Sequence, residues 1–463
     1  MISQDNICNT TCVAEYNANN ARYFNGTNGN LNNNNKYNSY RVRFLESQSI
    51  DVETLESYPI PLHEWYMYYQ QCRKRKANKP SHLYFVVDLA KWMRELCYCV
   101  NNMEYVPDQG ICFVILIPRL REVIAADFSF RIVQTFYAHI LTPLLEQYVF
   151  HKDSYACRKG KGGLRAVLQL QEYIYEESEG YTKDVYLAKI DFQGFFMSID
   201  TNLASRMMCD FIIAHIEDVR LRNIMLYLTR VIYEGLPQMH CRLQSPIELL
   251  DMLADNKKMY GKANGIGVAI GNVTSQMLSC FLTTLYLVLL TDKGYKFAFY
   301  TDDTANVVKD KEKWLLDLRY IDIWLWDELH IRLHPNKRYL QHYSKGIEFL
   351  GYKLRFNRIL PSDRVVHNYK YKVDCEIRRA DRERPKDLER FMQTVNSYNG
   401  MLKWCNARRL QKEVMDKIRN SRLAKYYDIA EDNSKILIKP QYTRVEYYKR
   451  KNQERKKQWT GVR

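Results

Sequence analysis

Apolar side chains recur three and four positions apart over much of the chain. This spacing places them on one face of a helix, so each such segment can pack on a core. The helical segments predicted in this way are 89–96, 128–148, 164–177, 203–233, 273–290, 313–329 and most of the chain beyond residue 376. Pro143 is expected to break the second of them, because proline removes a helical hydrogen bond. The segment 273–290 is apolar on all sides, which predicts a long buried helix.

Shorter apolar runs that end at turn-forming residues predict strands. The clearest are 111–117, 185–190 and 347–356, and the first of them is expected to be buried. The residues on both sides of Asp302 and Asp303 are β-branched or aromatic, so this pair is predicted at the tip of a β-hairpin. Residues 234–265 are polar and contain two prolines, which predicts an irregular insertion.

Charge narrows the range of partners. The chain has 69 Lys and Arg against 53 Asp and Glu, a formal net charge of +16. Such an excess favours a polyanion, most simply nucleic acid, over a basic surface that has no ligand. The 12 cysteines form no CxxC pair, so reduced thiols are expected rather than a zinc site. No secretory signal is visible, and the apolar run 280–290 is too short to span a membrane. A soluble, cytoplasmic protein is expected.

The two ends of the chain have unusual compositions. Residues 1–60 are predicted to be a disordered leader, because asparagine dominates residues 16–40 and competes with regular backbone hydrogen bonding. Residues 449–463 carry seven Lys or Arg and one Glu, which predicts a basic tail that is solvated or contacts RNA.

Three acidic residues are candidates for metal chemistry. Asp302 and Asp303 are adjacent, and neighbouring carboxylates repel each other unless a cation lies between them. Asp191 follows an apolar strand, where its side chain can project beyond the sheet. Carboxylates with substrate phosphates are the ligands that Mg²⁺ prefers, and two such ions can activate a hydroxyl and stabilise a leaving pyrophosphate. The alternatives are a solvated turn for the pair and a helix N-cap for Asp191.

In their order along the chain, these elements resemble the palm of reverse transcriptases. Asp191 to Phe196 is similar to the first palm motif of that family, and Tyr300 to Asp303 to its Tyr-x-Asp-Asp motif. Further similar segments occur in the family's order at 267–276, 333–337 and 348–352. Agreement of several ordered motifs is more specific than a single match.

The resemblance extends over about residues 70 to 410 and implies an α+β, right-hand polymerase. Fingers are expected over 61–180 and the palm over 181–345, where an antiparallel sheet packs on helices. The insertion 234–265 lies within the palm. A hairpin and a helical thumb are expected over 346–448.

The resemblance also implies roles at the metal site. Asp191 and Asp302 would bridge two Mg²⁺ ions, with Mn²⁺ as an alternative ion, and Asp303 would be a weaker ligand. It places Phe192 at both the metals and the substrate. Phe196 would crowd a 2′-hydroxyl and so select deoxynucleotides; the alternative is a core aromatic.

Further residues are implied to bind the nucleotide. Arg121 and Arg131 would hold the triphosphate, because guanidinium groups suit phosphate oxygens; an ordinary ion pair is the alternative. Lys337 would protonate pyrophosphate as a general acid, the alternative being a solvent-facing lysine. The segment that holds template and incoming nucleotide would include Gly271, Ser275, Gln276 and Ile270.

The segment 270–276 resembles, more narrowly, that of diversity-generating retroelement reverse transcriptases. Most other reverse transcriptases have Gln where this chain has Ile270, and Ser-Pro where it has Ser275-Gln276. Additional similar segments are 121–128, 131–133, 153–162 and 396–400. An aliphatic residue cannot hydrogen-bond around the nucleotide, so the resemblance implies misincorporation opposite template adenines. Alternatively, Ile270 packs the palm. Thr301 is an uncommon residue within the Tyr-x-Asp-Asp motif.

The implied partners are a template RNA, its cDNA, dNTPs and a small basic accessory protein, in a bacterial or phage-encoded system. Two alternatives are kept. One is another reverse transcriptase of the group II intron, retron or phage-defence type. The other is a catalytically silent, RNA-binding scaffold that retains the fold; clustered carboxylates argue against it, because without metal they destabilise a fold.

Overall fold

The computed structural model describes residues 48–74, 76–117, 119–379 and 384–460, so most of the predicted leader and the end of the basic tail lie outside the described residues. Helices alternate with mainly antiparallel strands, which confirms the α+β class. The α-helices are α1 Val52–Glu56, α2 Leu62–Arg73, α3 Pro80–Val87, α4 Leu89–Asn101, α5 Phe128–Tyr148, α6 Gly163–Glu177, α7 Phe195–Ser198, α8 Thr201–His215, α9 Val219–Tyr233, α10 Ile247–Asp251, α11 Val273–Asp292, α12 Lys311–Leu329, α13 Asp363–Arg378, α14 Pro385–Leu402, α15 Arg408–Arg419 and α16 Arg444–Thr460.

The strands form four small sheets. They are β1 Gly110–Ile115, β2 Arg121–Ala125, β3 Tyr186–Phe192, β4 Cys241–Leu243, β5 Lys296–Tyr300, β6 Asp303–Val308, β7 Leu333–His342, β8 Ile347–Phe349, β9 Tyr352–Arg355, β10 Arg358–Pro361, β11 Tyr427–Ile429 and β12 Ile436–Ile438. The strand orders are β2-β1-β4, β5-β6-β3-β7, β10-β9-β8 and β11-β12. All pairs are antiparallel except β1 with β4.

The chain divides into two compact units. The first takes in the chain up to Leu144 and Thr201–Ser275, and the second takes in Leu145–Asp200 and the chain from Gln276 onward. The limits of fingers, palm and thumb stay predictions.

In the first unit, aromatic rings join the helices α2, α3 and α5. The Tyr69 hydroxyl lies 3.0 Å from Nε2 of His82, and the rings of Phe85 and Phe128 are 5.0 Å apart. Each of these side chains is buried. Aromatic pairs at such distances add stability beyond the area that they bury.

Three expectations for the first part of the chain were wrong. α5 continues through Pro143, because the buried side chains of Leu141 and Leu145 on either side offset the lost hydrogen bond. The strand predicted over 111–117 ends at Ile115; only Cys112 in it is buried, and Ile117 is 84% exposed. The insertion 234–265 is not wholly irregular, because it contributes β4, which pairs with β1, and the helix α10.

The second unit is built around the four-stranded sheet β5-β6-β3-β7. Apolar side chains of β3, β5 and β6 pack on α6, whose buried face includes Val167, Leu170 and Ile174. In β3, Ala188, Ile190 and Phe192 lie on one face and are buried, whereas Lys189 and Asp191 lie on the other face and are partly exposed. The polar side chains of this strand therefore share one face near its C-terminal end.

The last part of the second unit has its own apolar core. The helices α13, α14 and α15 and the hairpin β11–β12 contribute buried side chains that include Tyr369, Val395, Met415 and Ile436. The prediction of helix beyond residue 376 is confirmed for α14 and α15, but it missed this hairpin. The predicted strand 347–356 is two strands, β8 and β9, because the chain turns at Leu350 and Gly351, both of which have positive φ.

α11 is long and apolar enough to cross a membrane, although no membrane segment was expected from the sequence. Within its most apolar stretch of 18 residues, 67% is buried inside the protein, and core helices of soluble proteins have the same length and hydropathy. The prediction of one long buried helix over 273–290 is confirmed.

Candidate active site

The predicted hairpin is present, and its tip is unusually tight. β5 ends at Tyr300 and β6 begins at Asp303, so Thr301 and Asp302 form the connection. The amide of Asp302 donates to the Tyr300 carbonyl over 2.8 Å, and Thr301 has a φ of 63°. A hydrogen bond between residues two apart, with positive φ between them, defines the rare and strained form of γ-turn. A β-branched residue is costly in this backbone conformation.

A loop of the chain fixes the open edge of this hairpin. The Phe299 amide donates to the Asp153 carbonyl and the Tyr155 amide donates to the Phe299 carbonyl, each over 2.9 Å. The buried Asp153 carboxylate accepts hydrogen bonds from the hydroxyls of Tyr155 and Tyr173. The segment 153–162, which carried part of the family resemblance, therefore supports the strand that leads to Asp302.

Asp191 lies opposite the hairpin on the neighbouring strand. In the register of β3 and β6, Asp191 pairs with Asp303. Lys189 lies two residues before Asp191 on the same face, and its Nζ is 3.1 Å from Oδ1 of Asp303. This is a diagonal contact between neighbouring strands. The alternative of a helix N-cap for Asp191 is wrong, because Asp191 is within β3.

A bulge in β7 brings Lys337 to Asp191. Arg338 pairs with Ile190 and Leu333 pairs with Phe192, so the four residues 334–337 of β7 face Asp191 alone. Pro335 lies within this bulge, where the backbone does not pair with β3, so the lack of an amide hydrogen costs no hydrogen bond between the strands. The Lys337 ammonium group donates to the Asp191 carboxylate. Bulges beside active sites commonly redirect a side chain in this way.

The electrostatics of the site centre on Asp302. Burial, followed by repulsion from the carboxylates of Asp303 and Asp191, raises the pKa of Asp302 to about 6, and Lys337 opposes this shift. The three carboxylates are therefore close enough to interact, with two lysines beside them. The site offers negative charge in excess of its local cations.

This donor set fits a divalent cation. Raised pKa and mutual repulsion are what a bound Mg²⁺ relieves, and carboxylates are its preferred protein ligands. In the structure, Asp191 and Asp303 each bond a lysine instead, and within the described parts of the chain no three His, Cys, Asp or Glu side chains are gathered as metal ligands. Asp191, Asp302 and Asp303 are the residues that would hold the ion after Lys189 and Lys337 move away from the carboxylates.

Aromatic side chains lie directly beyond Asp191. The Phe192 ring is buried and packs 5.2 Å from the Phe195 ring and 5.4 Å from the Tyr286 ring. A phenyl ring has no metal-binding atom, so only the Phe192 carbonyl can serve the predicted role at the metal. Phe196 is half-buried and lies edge-on to Phe195. Its role as a selector of deoxynucleotides stays a prediction.

The other predicted nucleotide-binding residues differ in exposure. In the first unit, Arg121 is exposed at the start of β2, whereas Nε of Arg131 on α5 donates to the Ala126 carbonyl over 2.9 Å. Ile270 is half-buried beside the exposed Gly271, and Ser275 is buried. Gln276 belongs to the second unit and is half-buried. Of the predicted residues in the second unit, the structure brings together Asp191, Asp302, Asp303 and Lys337.

Two residues near these sites were not assigned from sequence. Lys189 was detectable, because residues two apart on a strand share a face and Asp191 was already a candidate. Glu122 could not be detected from the sequence, because its partners are distant along the chain. It is buried and accepts hydrogen bonds from the amides of Met259 and Tyr260, which are 137 and 138 residues away. Met259 in turn packs on Gly267, where a Cβ would lie 2.8 Å from its sulfur. Glu122 thereby anchors the segment that leads to Ile270.

Comparisons with solved structures give only distant similarity. Telomerase from Candida albicans in complex with a TWJ fragment of telomeric RNA has 10% identity and a TM-score of 0.39, with 68% of this chain and 56% of that chain covered. Apo telomerase from Candida tropicalis, truncated from the C-terminal domain, has 11% identity and a TM-score of 0.40, with 55% of each chain covered. The chain thus spans a little over half the length of these proteins, and at such scores the similarity carries no argument.

Comparison with families is more informative. No curated protein matches the sequence. The sequence pattern of the family described as reverse transcriptase (RNA-dependent DNA polymerase) matches residues 118–354, slightly more than half of the chain. The match includes β3, the hairpin β5–β6 and the bulge of β7, which hold the four grouped residues. The chain therefore belongs to the reverse transcriptase family.

Proposed function

We propose that the protein is an RNA-directed DNA polymerase that joins deoxynucleotides to a cDNA end on an RNA template. The observation that carries this proposal is the meeting of Asp191 and Asp303 in strand register, with Asp302 at the strained tip beside them. Membership of the family supports it. A silent scaffold has no use for three interacting carboxylates, whose repulsion costs stability.

The chain's own residues then have distinct tasks. Asp191 and Asp302, with Asp303 as a weaker ligand, would hold two Mg²⁺ ions, and such ions when bound would supply activation of a hydroxyl and stabilisation of a leaving group. Lys337 is close enough to the carboxylates to give a proton to pyrophosphate, as a general acid. Phe196 limits space at the sugar. The tight hairpin and the Asp153 loop keep the carboxylates in place, which catalysis by positioning requires.

The test is incorporation of dNTPs on a primed RNA template with Mg²⁺. Asp302→Ala is expected to reduce incorporation by about a thousandfold or more, because it removes a charge that acts at the reacting centre. Asp432→Ala, which alters an exposed carboxylate in the last part of the chain, is the control and is expected to keep full activity. Equal incorporation by the wild type and Asp302→Ala would contradict the proposal.

A narrower proposal concerns fidelity. We propose that the enzyme is of the diversity-generating kind and misincorporates opposite template adenines. Ile270 is half-buried rather than part of a closed core, and Gly271 beside it has a φ of 100° with open space where a Cβ would lie. These features support a position that can face a substrate.

Ile270→Gln restores a polar group and is expected to lower adenine-directed errors, since hydrogen-bonded selection discriminates better than apolar contact. The measurement is the error spectrum of cDNA made on a defined RNA. Ile270→Val is the matched control and is expected to keep the adenine bias. A spectrum for Ile270→Gln that equals the wild type would overturn this narrower proposal and favour another class of reverse transcriptase.

The partners follow from the same proposal. Template RNA is held mainly through its phosphates by the excess of Lys and Arg, so binding should weaken steeply with salt. A small basic accessory protein and a cytoplasmic, bacterial or phage-encoded setting belong to the proposal as well. Mixing the purified chain with the product of a neighbouring basic reading frame tests the accessory protein.

A further inference from the structure

Lys189 lies in the middle of the four-stranded sheet, on the face that carries Asp191. Its strand, β3, is flanked by β6 and β7, and in strand register Lys189 pairs with Ala305 on one side and with Tyr339 on the other. Because directly paired residues share a face, these two side chains are the lateral neighbours of the lysine. The backbone of Lys189 is therefore held on both sides, and only its side chain can change position.

The two neighbours differ in size, and this difference directs the lysine toward β6. Ala305 is buried and has only a methyl group, so the lysine stem can pass over it. Tyr339 is large, and its hydroxyl donates to the Gly346 carbonyl over 3.1 Å. The Nζ atom of Lys189 accordingly lies 3.1 Å from Oδ1 of Asp303, with 31% of the lysine side chain exposed.

Lys337, the other lysine of the site, reaches the carboxylates differently. It comes from the bulge of β7, donates to Asp191, and has 55% of its side chain exposed. It is also the proposed general acid, so its charge has a task in the reaction itself. No step of the proposed reaction uses Lys189, although its ammonium group contacts Asp303, one of the proposed metal ligands. The role of Lys189 must then lie in its effect on Asp303.

A lysine and a metal ion compete for the same carboxylate. When all three carboxylates are ionised, the ammonium groups of Lys189 and Lys337 leave a single negative charge, which is little for two divalent ions. An ammonium group also repels a second cation at the same oxygens. An ion that contacts Asp303 must therefore displace Lys189. In the metal-free protein, by contrast, the lysine offsets the repulsion between Asp303 and Asp191.

We infer that Lys189 is a positioning residue that acts through Asp303, an inference that rests on the proposed polymerase function. In the metal-free protein, Lys189 keeps the Asp303 carboxylate opposite Asp191, and its ammonium group moves to solvent when an ion binds. The long, partly exposed side chain gives the ammonium group a path to water. Competition from Lys189 makes Asp303 the weaker ligand and raises the Mg²⁺ concentration that the enzyme requires.

The first experiment measures binding of Mn²⁺ alone to the full chain, freed of nucleic acid, by electron paramagnetic resonance. Lys189→Met removes the competing charge and keeps an apolar stem. It is expected to bind Mn²⁺ about threefold to fivefold more tightly than the wild type, which is the size expected for a partly exposed ion pair. Lys189→Arg keeps the charge and should bind Mn²⁺ no more tightly than the wild type. The Mg²⁺ concentration for half-maximal incorporation should fall by a similar factor in Lys189→Met.

The second experiment separates this role from a merely structural one. Lys353, on β9 in the same unit, lies 3.4 Å from Asp363 with 24% of its side chain exposed, so Lys353→Met is the matched control. In urea unfolding, Lys353→Met should lose the same stability with EDTA as with Mg²⁺. Lys189→Met should be less stable than the wild type with EDTA, and Mg²⁺ should close this gap. An equal loss of stability in both solutions would make Lys189 a structural residue only.

A double-mutant cycle tests the partner. In the Asp303→Asn protein, Lys189→Met should change Mn²⁺ affinity by less than about twofold, because the ion pair is already absent. Equal or weaker Mn²⁺ binding by Lys189→Met than by the wild type would overturn the proposal, and so would an undiminished effect in the Asp303→Asn protein. The polymerase proposal fails separately, because it depends on the loss of incorporation in Asp302→Ala and not on Mn²⁺ affinity.

Discussion

The carboxyls of Asp302 and Glu95 both have raised pKa values, but their surroundings differ. At the ends of the palm strands, Asp302 has a pKa of about 6, and its neighbours Asp191 and Asp303 each bond a lysine. In the first unit, burial and the nearby Asp108 raise the pKa of Glu95 to about 7, with only Lys91 opposing the shift.

The surroundings of Glu95 are those of a structural pocket. Apolar and aromatic side chains, among them Trp92, Leu96 and Tyr105, line a cavity of about 20 Å³ beside it. That is room for about one water molecule. A proton is sufficient to neutralise a carboxyl here. Asp191, Asp302 and Asp303, by contrast, lie at strand ends. Lys189 and Lys337 contact them through long, partly exposed side chains, which a metal ion can displace.

A raised pKa alone therefore does not identify an active site. What distinguishes the palm group is strand register and cation partners: Asp191 opposes Asp303, and Lys189 and Lys337 contact them.

Asp302→Asn should affect activity and stability in opposite directions. Loss of the metal-binding charge is expected to reduce dNTP incorporation by about a thousandfold or more. Removal of a repelled, buried carboxylate should raise the free energy of unfolding at pH 7.5 by on the order of 2 kcal/mol. Denaturant unfolding in EDTA, together with the incorporation assay, measures both.

The sign follows from linkage. A carboxyl whose folded pKa is raised stabilises the protein fully below its unfolded value of 3.8, and this stability is lost as pH rises through about 6. The gain from Asp302→Asn should therefore vanish at pH 3.5. Wild-type incorporation should need more Mg²⁺ as pH falls through 6, because protons compete with the metal. A variant less stable than the wild type at pH 7.5 would contradict this account.

Lys337→Met should lower the rate of incorporation by about a hundredfold, as expected for loss of a general acid. The measurement is the single-turnover rate of incorporation at one fixed pH. Lys345→Met, at an exposed lysine just after β7, should leave this rate unchanged. A rate for Lys337→Met equal to that of the wild type would contradict the general-acid role of Lys337.

Glu95→Gln should stabilise the protein without changing its activity. The carboxyl of Glu95 contributes stability below pH 4.5 that is lost as pH rises through about 7. The amide is therefore expected to raise the free energy of unfolding by on the order of 1–3 kcal/mol at pH 8, and by little at pH 4.5. Glu217→Gln, at an exposed site in the same unit, should have no effect at either pH. A loss of incorporation in Glu95→Gln would mean that this pocket has a functional role.

Thr301→Asn should have the smallest effect. Asparagine tolerates positive φ better than a β-branched residue, so the variant should be more stable by up to about 1 kcal/mol. Thermal unfolding measures this change in stability. Thr304→Asn cannot serve as a matched control, because Thr304 is buried. Destabilisation by Thr301→Asn would show that the threonine side chain makes a contact that outweighs the strain.

Local sequence patterns predicted an element correctly where one physical rule decides its structure. A short apolar run located β3, continuous hydrophobicity located α11, and the flanks of Asp302 located the hairpin. They failed where distant parts of the chain decided the outcome. Pro143 lies inside a helix because packing on both sides outweighs its local cost, and β4 forms because β1 offers an edge 131 residues earlier in the sequence.

The same division holds for the site. The match to the reverse transcriptase family, and Asp191, Asp302, Asp303 and Lys337 as candidate site residues, could be read from the sequence, because their spacing follows the order of motifs along one chain. Contacts between strands place Asp191 opposite Asp303, turn Lys337 toward Asp191 through a four-residue bulge in β7, and bring Lys189 to Asp303, and no local pattern predicts these contacts. The physical reason is that register, bulges and the pKa of Asp302 arise between strands, from contacts more than a hundred residues apart in sequence.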